Sequence, residues 1–107
     1  MNNLSNSVRL TGRLGAAPEM KELDDDKRVA KLSLATNYYR RDGQSETHWH
    51  QLVLWNKQAE LAEKYLDKGS QIAIEGRLAN RFYTDKDGVK RYVTEIVVSE
   101  LMLLGKP

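Results

Sequence analysis

The feature that most restricts this chain is a two-residue apolar rhythm that recurs in five stretches and is broken once by a helical one. Successive strand residues point to opposite faces, so the rhythm describes sheets with one buried and one exposed face. The first stretch, about Ser7 to Leu14, sets Val8, Leu10, Gly12 and Leu14 against Arg9, Thr11 and Arg13. Gly15-Ala16-Ala17-Pro18 ends it. The second, about Val29 to Tyr39, puts Ala30, Leu32, Leu34 and Thr36 on one face and Lys31, Ser33, Ala35, Asn37 and Tyr39 on the other. Asp42-Gly43 marks a turn. The third runs from about Thr47 to Trp55. A helix follows, about Gln58 to Leu66, with Leu61, Ala62, Tyr65 and Leu66 on one face and Lys68-Gly69 as its stop. The fourth stretch, Gln71 to Thr84, and the fifth, Arg91 to Leu104, flank the turn signal Asp85-Lys86-Asp87-Gly88 and read as a long hairpin.

The third stretch bears most directly on function. His50, Leu52 and Leu54 share one face; Trp49, Gln51, Val53 and Trp55 share the other. If the leucines are core, both tryptophans are at least partly exposed, roughly 20 Å apart at ~3.3 Å per residue, with room for several nucleotides between them. Core tryptophans after a register slip, or a protein–protein interface, are the competing readings. Arg77, Arg81, Lys86, Lys90 and Arg91 cluster beside Phe82, Tyr83 and Tyr92. Cations interleaved with aromatics suit a surface that meets both phosphates and base faces, although ordinary solvated charge explains them as well.

The remaining composition narrows the classes. A chain of 107 residues fits one domain, here 1–107, and can bury an adequate core. There is no cysteine, which removes thiolate catalysis, disulfides and cysteine-bound zinc. The net charge of +2 arises from 17 basic and 15 acidic side chains, too balanced to argue for a nucleic acid alone. Neither a signal peptide nor an apolar run of membrane-spanning length is visible, so a cytoplasmic protein without a membrane partner is expected. His48 and His50 lack a third metal ligand nearby in sequence. Asp24, Asp25 and Asp26 lack the alternating spacing of a calcium loop and read as a turn. Gly12-Arg13-Leu14-Gly15 is not a phosphate loop. No enzyme, cofactor or metal is expected.

Three strands, a helix and two strands is the order of an OB-fold. The expected class is therefore all-β: a five-stranded Greek-key barrel with one short helix between strands 3 and 4. Beyond this pattern, Thr47-His48-Trp49-His50-Gln51-Leu52-Val53-Leu54-Trp55 strongly resembles the third strand of the bacterial single-stranded DNA-binding protein family. Ala59 to Gln71 looks like that family's helix and exit. Ile74-Glu75-Gly76-Arg77-Leu78, with Tyr83-Thr84-Asp85, Gly88 and Arg91-Tyr92, resembles its fourth strand and hairpin. Gly12-Arg13-Leu14-Gly15, Pro18-Glu19 and Leu34-Ala35-Thr36-Asn37 match its opening.

The resemblance spans essentially the whole chain. It implies sequence-tolerant coating of single-stranded DNA in replication, recombination and repair, by a homotetramer associated with the nucleoid. By position it makes Trp49, Trp55 and Tyr83 base-stacking residues. Lys57, Lys68, Arg81 and Arg91 match basic positions near the DNA path, joined by Arg77 from the same cluster. His50 matches a subunit-interface residue. The family's further stacking aromatic falls on Arg40, with Tyr38 and Tyr39 just before it; Tyr39 has the strand parity to substitute. The family's acidic tail has no counterpart, because the chain stops at Gly105-Lys106-Pro107. A tail-less paralogue and a shortened chain both fit, and tail-mediated recruitment of partners is not expected of this form. An OB-fold protein-interaction or primosome accessory module and a single-stranded RNA binder are the alternatives.

Overall fold

The structure, a computed structural model, describes residues 4–104, so the Gly105-Lys106-Pro107 end lies outside the described residues, as does the side chain of Asp25. The elements in chain order are β1 (Val8–Leu14), β2 (Glu19–Leu23), a single 3-10 turn (Asp24–Asp26), β3 (Lys27–Tyr39), β4 (Ser45–Trp55), α1 (Lys57–Tyr65), β5 (Gln71–Thr84) and β6 (Lys90–Leu103). The sheet order is β1-β5-β6-β4-β3-β2, and β1 also pairs with β3, closing five strands into a barrel. The β4–β6 pair is parallel and the other pairs are antiparallel. This is the anticipated all-β OB barrel, with its helix between β4 and β5.

Alternation builds the interior. Leu32 and Leu34 from β3, Leu52 and Leu54 from β4, and Ile72 from β5 are essentially removed from water. Leu32 faces Leu52 directly across the ladder. Each such side chain stabilises the fold by about 1.5–3 kcal/mol relative to exposure. Closure needs β1 to pass tightly over β3, where Arg13 pairs with Ala35 and Leu14 with Leu34. Gly12 permits this, since any Cβ there would collide with the Ala35 carbonyl.

Two local expectations change. The stretch after Pro18 is not merely the end of a strand: Glu19–Leu23 forms β2, which pairs with Lys27–Lys31 along the edge of β3 that β1 leaves open. Its only partly buried residue is Met20, too little apolar signal in five residues to show in the sequence. The buried face of the helix is Ala59 and Ala62, continued by Leu66, whereas Leu61 and Tyr65 are exposed. The helix seals the barrel end with its small residues, so its backbone comes close and its larger side chains stay outside.

Candidate nucleic-acid interface

Register determines which side chains share the barrel's outer surface. Val29 lies opposite Trp55, Lys31 opposite Val53, and Ala35 opposite Trp49. Val53 in turn pairs with Val97, which lies opposite Arg77. Both tryptophans therefore lie on the face turned away from Leu52 and Leu54, with 59% of Trp49 and 41% of Trp55 exposed. The core reading of the two indoles does not hold in this structure.

Trp55 lines an open groove of about 410 Å³ between the β2–β3 and β5–β6 hairpins, shared with Lys21, Lys31, Arg81 and Glu95. Trp49 is seated differently. The edge of its ring packs against Gly15, where a methyl group would come 2.5 Å from Cζ3 and 2.7 Å from Cη2. Gly15 is itself anchored by its N–H, which donates to the Ser33 carbonyl at 3.0 Å. Lys68 is close to this end of the surface, because the N–H of the next residue, Gly69, donates to the Leu14 carbonyl at 2.8 Å. Lys57 is exposed at the first position of α1, two residues beyond Trp55.

Tyr39 pairs with Ser45 and keeps the parity of Ala35, which places it on the Trp49 side of the sheet. Tyr38 stands edge-on to His48 at a centroid separation of 6.4 Å. Arg40, at the position of the missing aromatic, is held at the β3–β4 turn by Glu46 at 3.0 Å and Asp42 at 3.7 Å.

The cations predicted from sequence are not electrostatically equivalent. Arg77 is exposed on the outer face of β5. Arg81 forms two hydrogen bonds to Glu95, from Nε at 3.1 Å and from an Nη at 3.0 Å, and its guanidinium lies 6.0 Å from the Tyr83 ring centroid. The carboxylate holds the guanidinium pKa above its ordinary value, first through the hydrogen bonds and then through charge. Arg91 donates to Asp85 at 2.8 Å, and that bond, with the Val89 N–H, pulls the Asp85 carboxyl below its usual range. Two of the five expected phosphate-contacting cations thus carry their own counter-charge.

Sequence reasoning missed Lys21 and Lys31 as groove residues. Lys31 has the right parity in the second stretch, but only pairing with β4 shows that it stands beside Trp55. Lys21 sits on the unforeseen β2. His50 is half-buried, with Nε2 2.9 Å from the Thr36 hydroxyl. Desolvation, and then repulsion from His48, lowers its pKa below 6.5. Among the described residues no three His, Asp or Glu side chains are arranged to hold a metal ion.

A family model described as "Single-strand binding protein family" matches residues 5–104. The chain belongs to the single-strand binding protein family. Within it, the chain is 41% identical over 104 residues to a "Single-stranded DNA-binding protein" of Xanthomonas campestris pv. campestris, a match covering 94% of this chain and 60% of the relative. It is 40% identical over 106 residues to "Single-stranded DNA-binding protein 1" of Xylella fastidiosa, covering 94% and 78%. The chain thus spans about three fifths of the length of the Xanthomonas relative. A solved structure described as "Plasmodium falciparum SSB complex with ssDNA" superposes with a TM-score of 0.86 at 35% identity, covering 98% of this chain and all of that one. The chain therefore shares the OB-fold of that structure over nearly its whole length.

Proposed function

We propose that this chain, acting as one domain, binds single-stranded DNA with little sequence preference, stacking bases on Trp49, Trp55, Tyr83 and Tyr39. The carrying observation is the pair of tryptophans exposed on one strand opposite two leucines that are fully buried. Exposed indoles cost folding free energy and accept any base face, a π-surface all four bases possess. Arg77, Lys57, Lys68, Lys21 and Lys31 supply cations for phosphates, with Arg81 and Arg91 contributing to the extent that they leave their carboxylates. Duplex DNA is disfavoured because its bases are already stacked. The activity assigned is binding rather than turnover, in the replication, recombination and repair of nucleoid DNA.

A homotetramer is the assembly that goes with this reading. Along β1, Val8–Arg13 pair with β5, and among the described residues Arg13 and Leu14 alone pair with β3. Among the described residues, no strand is paired to residues 10–12 on the edge that faces away from β5, and a second copy can extend the sheet there. His50 is assigned to a contact between subunits.

The test is a titration with oligo-dT followed by tryptophan emission. Saturation is expected to quench the emission strongly, and Trp49→Ala or Trp55→Ala to cost ~1–3 kcal/mol of binding. Folding stability should fall by less than the ~3–5 kcal/mol of an emptied aromatic core site. A double variant that binds as tightly as the parent would return both indoles to a structural role.

A further inference from the structure

The β5–β6 hairpin extends past the barrel, and its two faces differ. Arg81 and Tyr83 are on the groove side. On the opposite side Phe82 and Tyr92 are direct cross-strand partners, 60% and 57% exposed. Their rings meet edge-to-face with centroids 5.1 Å apart, and the Lys90 ammonium lies 5.1 Å from the Phe82 centroid. This face continues the barrel's inner face, which is still core at Ile96 opposite Leu78. Beyond that pair the core ends, yet the aromatic patterning goes on. Asn6 covers the β5 edge at Leu78, where its side chain exchanges hydrogen bonds of 2.8 and 3.0 Å with the backbone. From Asn80 to the turn, β5 pairs only with β6 among the described residues.

We propose that Phe82 and Tyr92, with Lys90, form a second base-stacking site on the outer side of this hairpin, taking the same single strand after it leaves Tyr83. The inference rests on the single-stranded DNA reading above. Three observations favour nucleic acid over another occupant. The surface is continuous with the groove, since residues 82 and 83 are neighbours on opposite faces with Cα atoms ~3.8 Å apart. The hairpin is a single two-stranded layer, so a strand crossing its free edge reaches the other face without leaving the protein. The aromatic pair also carries its own cation, so a base on the ring brings its phosphate toward an ammonium.

Oligo-dT carrying 5-iodo-2′-deoxyuridine at successive positions, irradiated on the unmodified protein and mapped by mass spectrometry, is expected to mark Phe82 or Tyr92 as well as the groove aromatics. Adducts confined to Trp49, Trp55, Tyr39 and Tyr83 would overturn the inference. The Phe82→Ala/Tyr92→Ala variant should lose about tenfold in affinity for a long oligo-dT, and Phe82→Trp should retain binding. Parental affinity in the double variant overturns the second site and leaves the groove reading intact, whereas a parent that does not bind oligo-dT overturns the groove reading itself. The double variant should keep the parent's mass in light scattering; a lower mass would assign the face to contact between copies instead of DNA.

Discussion

At Trp49 the function proposed here depends on a residue with no side chain. The Cζ3–Cη2 edge of the indole packs against Gly15, and a methyl group there would come 2.5 Å from the ring. The conflict is with side-chain atoms, so the ring rather than the sheet gives way. Gly15→Ala is therefore expected to leave folding largely intact while shifting the tryptophan emission maximum and weakening oligo-dT binding by about tenfold, the scale of one stacking contact. Emission spectra and titration on the same preparation check this; unchanged emission would mean that the indole already has room to move. Trp55, by contrast, sits in an open groove and is expected to tolerate changes around it. The exposure of the two tryptophans was legible as parity opposite Leu52 and Leu54. The dependence of Trp49 on Gly15 was not, because 34 positions separate the two in the chain.

The elements matter because they bring distant charges together. The β5–β6 hairpin carries Arg81 into the groove together with Glu95, its bidentate partner, so the site arrives partly neutralised. On the proposed reading, an incoming phosphate has to compete with that carboxylate. Glu95→Gln should release the guanidinium, strengthen oligo-dT binding and steepen its log–log salt dependence by about 0.7, the increment for one further neutralised phosphate on a single strand. Titrations at several salt concentrations check it, and an unchanged slope would show that Arg81 stays off the phosphates in both forms. The β2–β3 hairpin supplies Lys21 and Lys31 on the other wall, cations that have no such carboxylate partner among the described residues. In the sequence Arg81 and Arg91 stand out within a basic cluster, but Glu95 and Asp85 are not next to them. Cross-strand pairing makes them partners, and that depends on the turn between the strands.

For the whole molecule, closure leaves residues 10–12 of β1 without a strand on the side away from β5 among the described residues, and His50 is half-buried where burial disfavours its charge. Light scattering at micromolar concentration is expected to give a multiple of the mass of a single 107-residue chain, consistent with four copies. The pH dependence has a definite sign. The histidine pKa is lowered from 6.5 in the folded protein, so the unfolded chain takes up its proton first. The associated stability is complete above 6.5 and is lost as the pH falls below it toward the folded value. Thermal unfolding scanned from pH 7.5 downward should show this loss, and His50→Gln should remove that part of the dependence. A monomeric mass at pH 7.5 would sink the assembly argument.

Alternation alone determined the five principal strands, the inner and outer faces of β4 and the single helix, because strand parity and helical period are properties of consecutive residues. The anticipated barrel followed from the order of those elements. Tertiary structure alone decided the rest: β2 as a partner for the edge of β3, Ala59 and Ala62 as the buried side of the helix, Gly15 beneath Trp49, and carboxylates on Arg81 and Arg91. Each depends on register or close approach between segments, some near in the chain, as Asp85 and Arg91, and some distant, as Gly15 and Trp49. Residue order does not encode such distances until the barrel closes and a residue's neighbours are set by the sheet.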